Sequence, residues 1–195
     1  EKIVSRHYRT PAPLAINGRL FMPGIDYLIA MDAYNGRLLW ERELPGVGHW
    51  PAAFRGTCAA VDADSVYALQ GTTCLRLDAA TGKTRFTYAA PANAGKNDLG
   101  WEFLTVTGDT VLGTLGSPNI KRTWWSPAYP ENRCLFALDK QTGVARWIYE
   151  AEDAIDSNGI ACDGEAGYVI DGLPRYSLLK KPATLPRTLK ALDLK

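Results

Sequence analysis

The chain lacks adjacent cysteines and any Cys-x-x-Cys pair, and it holds only two histidines. Its four cysteines stand apart at Cys58, Cys74, Cys134 and Cys162, a spacing that argues against a zinc knuckle or a thioredoxin-type redox pair. Their apolar, β-compatible surroundings make them buried thiols that pack as small hydrophobes. A disulfide would instead imply an oxidising compartment. Cys58 and Cys74 fall on non-adjacent strands of one small sheet, about two spacings of ~4.8 Å apart, beyond the usual Cα separation of a bridge. Charge of a dominant sign is also lacking. The 22 Lys and Arg against 21 Asp and Glu leave a net +1, with no push toward nucleic acid or a charged membrane surface. No apolar run approaches the ~20 residues that cross a bilayer as a helix, no secretory pattern stands at the start, and no stretch sustains a helical period. The chain begins without Met and ends partway through a repeat, so it is expected to be a segment of a longer protein. A missing targeting signal then says little about compartment.

What is present is repetition, which bears on architecture before any single residue is interpreted. Ala30-Met31-Asp32-Ala33-Tyr34-Asn35-Gly36-Arg37-Leu38-Leu39-Trp40 recurs as Arg76 to Phe86 and again as Ala137 to Trp147. A further copy opens at Ala191-Leu192-Asp193. Each copy reads as an apolar strand closed by Asp, a tight turn and a second strand ending in a large aromatic. The carboxylates of Asp32, Asp78, Asp139 and Asp193 are suited to accept backbone N–H bonds from the turn. Gly36, Gly82 and Gly143 supply the positive φ that the turn needs. The repeated Asp is therefore a turn cap rather than a metal ligand or acid catalyst.

These copies resemble the pyrroloquinoline-quinone-type β-propeller repeat, A-x-D-x-x-T-G-x-x-x-W. The third copy matches it fully. The first has Asn35 for Thr, and the second has Arg76 for Ala and Phe86 for Trp. In that family the closing aromatic docks between neighbouring blades near a turn glycine, so the resemblance makes Trp40, Phe86 and Trp147 inter-blade packing residues. The expected fold is all-β: a partial propeller of about three and a half four-stranded antiparallel blades, from a larger ring of eight. The blades are expected over 13–44, 57–90, 102–150 and, incomplete, 158–195. Asn17-Gly18 between two apolar runs is the strongest hairpin signal in the chain.

Strand order within such blades puts the first and third turns of every blade at one end, where all are short. The long stretches fall at the other end: the inter-blade connections 42–56, 89–101 and 151–158, and the insertions 117–132 and 172–188. Elaboration on one face of a constant scaffold is how scaffolds carry sites. The candidate binding face thus holds His49, Trp50 and Arg55 from the first connection, and Asn97, Asp98 and Trp101 from the second. Arg122, Trp124 and Trp125 come from the first insertion, Asp156 and Asn158 from the third connection, and Arg175 and Tyr176 from the second insertion. Its alternative is that these loops only pack on one another and close the rim. Trp124-Trp125 is the best single contact candidate, since Trp and Arg lead among binding hot spots, although one Trp could seal the insertion against its own blade. His49 could serve as base or ligand, but beside Trp50 and Pro51 it reads more readily as a hydrogen-bonded loop residue. Lys180-Lys181 reads as a solvated pair.

The resemblance covers catalytic and non-catalytic groups alike. Quinoprotein dehydrogenases hold the quinone and calcium on the propeller axis, with a Glu, an Asn and a catalytic Asp around the ion. No Glu, Asn or Asp of this chain matches that arrangement residue by residue. The preferred expectation is a non-catalytic binding or scaffold propeller with no cofactor and no catalytic residue. It would engage a protein, peptide or small molecule on the long-loop face, and it would need further blades to cover its outer apolar faces. The alternatives are part of a quinone- and calcium-dependent alcohol or sugar dehydrogenase, and a glycan-binding propeller that stacks sugars on Trp124, Trp125 and Tyr176. A periplasmic or other extracytoplasmic setting is implied by the resemblance alone.

Overall fold

The computed structural model describes residues 12–24, 26–45, 58–92, 94, 100–116, 132–172 and 186–194. Among them every regular element is a strand, and every pairing is antiparallel. Blade 1 is the meander β1 (Leu14–Ile16), β2 (Arg19–Pro23), β3 (Tyr27–Asp32) and β4 (Leu38–Glu43). Asn17 and Gly18 form its two-residue loop at φ +48° and +71°, with Ile16 paired to Arg19. Both residues must hold positive φ, which selects Asn-Gly. Blade 2 is β5 (Ala59–Val61), β6 (Ser65–Gln70), β7 (Thr73–Asp78) and β8 (Thr84–Ala89).

The third sheet has six strands. It runs β9 (Gly100–Thr107), β10 (Thr110–Gly116), β11 (Asn132–Asp139), β12 (Ala145–Cys162), β13 (Ala166–Asp171) and β14 (Thr188–Asp193). It is two blades fused. The first part of β12 is the outer strand of blade 3, paired to β11, and its last part is the first strand of blade 4, paired to β13. Residues 151–158, expected as a loop connection, are therefore part of the strand. The reason is pairing: Ile155 is opposite Asn132 on one side and Asp171 on the other, so this one residue joins the two blades between stretches where the ladder is interrupted.

The first strands of successive blades abut, β1 against β5, β5 against β9, and β9 against β12. The hydrophobic cores lie between sheets. Phe21, Leu28 and Ala30 of blade 1 meet Val66, Ala68 and Leu77 of blade 2. Tyr67, Cys74 and Tyr88 of blade 2 meet Trp101, Leu104, Cys134 and Phe136 of blade 3. Leu135 of blade 3 meets Ile155 and Val169 of blade 4. Inner strands are thus covered on both faces, which is why β6 and β10 are buried almost throughout. At about 1.5–3 kcal/mol for each fully buried large apolar side chain, these inter-sheet layers are the main favourable contribution to the fold. All four cysteines are free thiols, Cys74 and Cys134 buried in the layer between blades 2 and 3. Burial pushes the Cys134 thiol up to about 11, so it stays protonated and inert.

Candidate functional site

The two ends of the molecule are built differently. At the short-turn end the same turn is made three times. Asp32 Oδ1 accepts from the N–H groups of Tyr34 and Asn35 at 2.9 and 3.2 Å. Asp78 Oδ1 accepts from Ala80 and Thr81 at 2.9 and 2.8 Å, and Asp139 Oδ1 from Gln141 and Thr142 at 3.0 and 2.9 Å. Gly36, Gly82 and Gly143 stand at φ +74°, +70° and +71°. The residue after each Asp donates its N–H back to the first turn of its own blade: Ala33 to Gly18, Ala79 to Asp64, Lys140 to Asp109, and Leu194 to Glu165.

Two of these turns carry an ion pair seven residues on, Arg85 to Asp78 and Arg146 to Asp139. Blade 1 has Leu39 at that position. The Thr81 hydroxyl and then Arg85 hold the Asp78 carboxyl down at about 2. The Arg146 guanidinium and the turn at Thr142 push Asp139 in the same direction. A second repeated device sits in the first turns of blades 2 and 4. Asp62 accepts from Asp64 and Ser65 N–H and from the Tyr67 hydroxyl at 2.7 Å. Asp163 accepts from Glu165 and Ala166 N–H and from the Tyr168 hydroxyl at 2.8 Å. The spacing Asp-x-x-x-x-Tyr was available in the sequence as its signal.

The closing aromatics sit against the next blade. A Cβ placed on Gly82 would lie 2.8 Å from Trp40, and one on Gly143 would lie 2.9 Å from Phe86. Trp40 Nε1 donates to Ala79 O at 3.1 Å, and Arg42 donates to Gly82 O at 2.7 Å. At the next joint Phe86 has no donor, and Tyr88 supplies one, its hydroxyl giving to Lys140 O at 2.7 Å. Trp147 is half-buried against Leu112, Ala137 and Leu194 and against Leu135 and Val169, with its Nε1 unpartnered among the described residues.

The opposite end carries the elaboration. One row of paired residues crosses it: Gly100, Gly116, Asn132, Ile155, Asp171 and Thr188. The insertion after Gly116 returns at Asn132, and the one after Asp171 returns toward Thr188. Only β12 separates the two stems, about two strand spacings or ~10 Å. Beneath the row is a buried polar group. Asn132 donates through Nδ2 to Ser157 Oγ at 2.6 Å and to Ile155 O at 3.1 Å. Glu102 Cγ and Asn132 Oδ1 both press on the space where a Gly116 Cβ would be, at 2.7 and 2.8 Å, so only glycine fits there. Asn132 Oδ1 and Thr114 Oγ1 are buried with no hydrogen-bond partner among the described residues. These polar residues were not legible in the sequence, because nothing marks a lone polar side chain in an apolar strand as buried.

Of the candidate face, Asn158 is exposed in β12, its N–H donating to Asp156 Oδ1 at 3.0 Å. Trp101 is in β9, 2 % exposed and edge-on to Phe136 with centroids 5.0 Å apart. It packs in the layer between blades 2 and 3, where the sequence reading expected loop. His49, Trp50, Arg55, Asn97, Asp98, Arg122, Trp124, Trp125, Arg175 and Tyr176 lie outside the described residues. Calcium takes six to eight oxygen ligands. The described residues bring Glu102 and the Asn132 carbonyl together, and no cluster of three or more His, Cys, Asp or Glu able to hold a metal occurs among them. No helix among the described residues is long and apolar enough to cross a membrane.

Residues 13–170 match the model of the family PQQ_2, described as outer membrane protein assembly factor BamB. No curated protein matches the sequence significantly. Among solved structures the chain is similar to quinohemoprotein alcohol dehydrogenase from Comamonas testosteroni, at 17% identity and a TM-score of 0.63, covering 95% of this chain and 34% of that one. It is similar to BamB from Moraxella catarrhalis, at 19% identity and a TM-score of 0.54, covering 91% and 44%. The Pan2 WD40 domain of Neurospora crassa aligns at 13% identity and a TM-score of 0.61, covering 95% and 48%. At such identities the likeness shows the β-propeller fold. The chain spans less than half the length of each.

Proposed function

Because this chain belongs to the PQQ_2 family, described as outer membrane protein assembly factor BamB, we propose that it is the binding part of a non-catalytic propeller. A protein or peptide partner would engage the long-loop end. The observation that carries this reading is the shared row of stems. Two insertions rich in Trp, Tyr, Arg and Lys spring from strands separated by β12 alone. A partner spanning ~10 Å can touch both, and Trp and Arg are the side chains that dominate binding energy at interfaces. The family description as an outer membrane protein assembly factor supports an assembly or docking role and an extracytoplasmic setting, while the likeness to quinohemoprotein alcohol dehydrogenase supports the dehydrogenase reading. The quinone-dependent dehydrogenase and glycan readings are outcomes of the same test.

The test uses the full-length protein. A photo-crosslinking residue replaces Trp124, Tyr176 or, at the short-turn end, Ala80. One discrete protein adduct from the first two positions and none from the third is expected. Adding pyrroloquinoline quinone and calcium and recording dye-linked alcohol oxidation decides against the proposal if turnover appears. Glycan binding lost in Trp124→Ala, Trp125→Ala and Tyr176→Ala, with no protein adduct, would replace it by the carbohydrate reading.

A further inference from the structure

Between Glu150 and Ile155 the strand β12 leaves both of its neighbours. Glu150 pairs with Cys134 and Ile155 with Asn132, so residues 151–154 stand opposite Arg133 alone. On the other side β13 ends at Asp171, opposite Ile155. The N–H groups of Glu152 and Asp153 lie in this interrupted stretch of the ladder. The Asp171 side chain takes them both, Glu152 N–H donating to Oδ2 at 2.7 Å and Asp153 N–H to Oδ1 at 3.1 Å. The Tyr149 hydroxyl donates to Oδ2 at 2.6 Å. Gly172 N–H closes the far side onto Ala154 O at 2.8 Å, and Arg133 holds Asp153 O at 2.6 Å.

From this geometry we infer that Asp171 is a positioning residue, a clasp that locks residues 151–154 and so ties blade 4 to blade 3 beneath the two insertions. Asp171 is only 2 % exposed, and all three donors reach its carboxylate from β12. Bonds to an ionised acceptor are about twice as strong as neutral ones. Opening the excursion breaks them together, so the segment holds or releases as a unit. The inference concerns the scaffold and does not rest on what binds the long-loop end.

Hydrogen exchange on the full chain tests it. Asp171→Ala is expected to speed exchange of the Glu152, Asp153 and Gly172 amides about ten- to a hundredfold, while those of β6 and β7 stay unchanged. Tyr149→Phe removes one donor and is expected to speed the same amides by a smaller factor. No change at these amides in Asp171→Ala overturns the clasp. So does equal acceleration in every sheet, which would mean general destabilisation. Should Asp171→Ala fail to fold, Tyr149→Phe decides: acceleration confined to these amides supports the clasp, and its absence overturns it.

Discussion

The joint between blades 1 and 2 and the joint between blades 3 and 4 do the same work with different chemistry. At the first, an indole lies on a bare glycine of the next blade, backed by an apolar layer. At the second, a strand runs straight through, and donors along it are collected by one buried carboxylate. The ring-on-glycine joint is non-directional and depends on area buried. The clasp depends on charge and on donors held within 3.1 Å. One is expected to be indifferent to pH and the other not. Hydrogen bonds supply direction that packing does not, so the through-strand holds the two insertion stems in a fixed relation.

The sharpest way to break the comparison is at Trp40. Trp40→Ala is expected to cost about 3–5 kcal/mol in urea unfolding. Trp40→Phe keeps the ring and drops only the bond to Ala79, so it should cost about 1 kcal/mol. A Phe variant as damaged as the Ala variant would make the hydrogen bond, and not the ring, the joint. Next in size is a pair of glycine substitutions. Gly82→Ala meets both a positive φ and the Trp40 ring, for about 2–4 kcal/mol. Gly36→Ala has the same φ, but the nearest described atom is Met31 Cε at 4.0 Å, so about 1–2 kcal/mol is expected. Equal losses would remove the ring as the cause.

Smallest is the response to acid. Burial pushes the Asp171 carboxyl up, but Tyr149 and the two N–H groups outweigh it and leave it below the usual range, with Lys190 adding to them. Glu152 and Asp153 are the other charged groups beside it. A carboxyl whose folded value is depressed stabilises fully above its unfolded value of ~3.9 and loses that contribution as pH falls through the folded value. The exchange protection of Glu152 and Asp153 should therefore fall below about pH 4, while the Trp40 joint shows no such change. The exposed turn at Asp78 titrates in the same direction, with its folded value at about 2. Asp78→Asn is expected to lower the melting temperature at neutral pH by about 2 °C or less, since water screens the pair. That difference should vanish near pH 2. A difference that persists there would place the loss outside the carboxylate.

What the sequence determined by itself is the part of the fold that local chemistry decides. The Asp, Gly and aromatic of each copy lie within nine residues, so one hairpin fixes their relation, and the turns at Asp32, Asp78 and Asp139 form as their spacing requires. The Asn17-Gly18 hairpin and the strand order follow for the same reason. Which glycine each ring meets depends on the packing of whole sheets, and there the family resemblance supplied what spacing could not. Only the tertiary structure decided that residues 151–158 remain strand, because partners at Asn132 and Asp171 come from elsewhere in the chain. It also decided that Trp101 belongs to a core layer, and that Glu102, Asn132 and Ser157 converge beside Gly116. A polar residue becomes a clasp or a buried acceptor through who its neighbours are across sheets, and sequence distance carries no record of that.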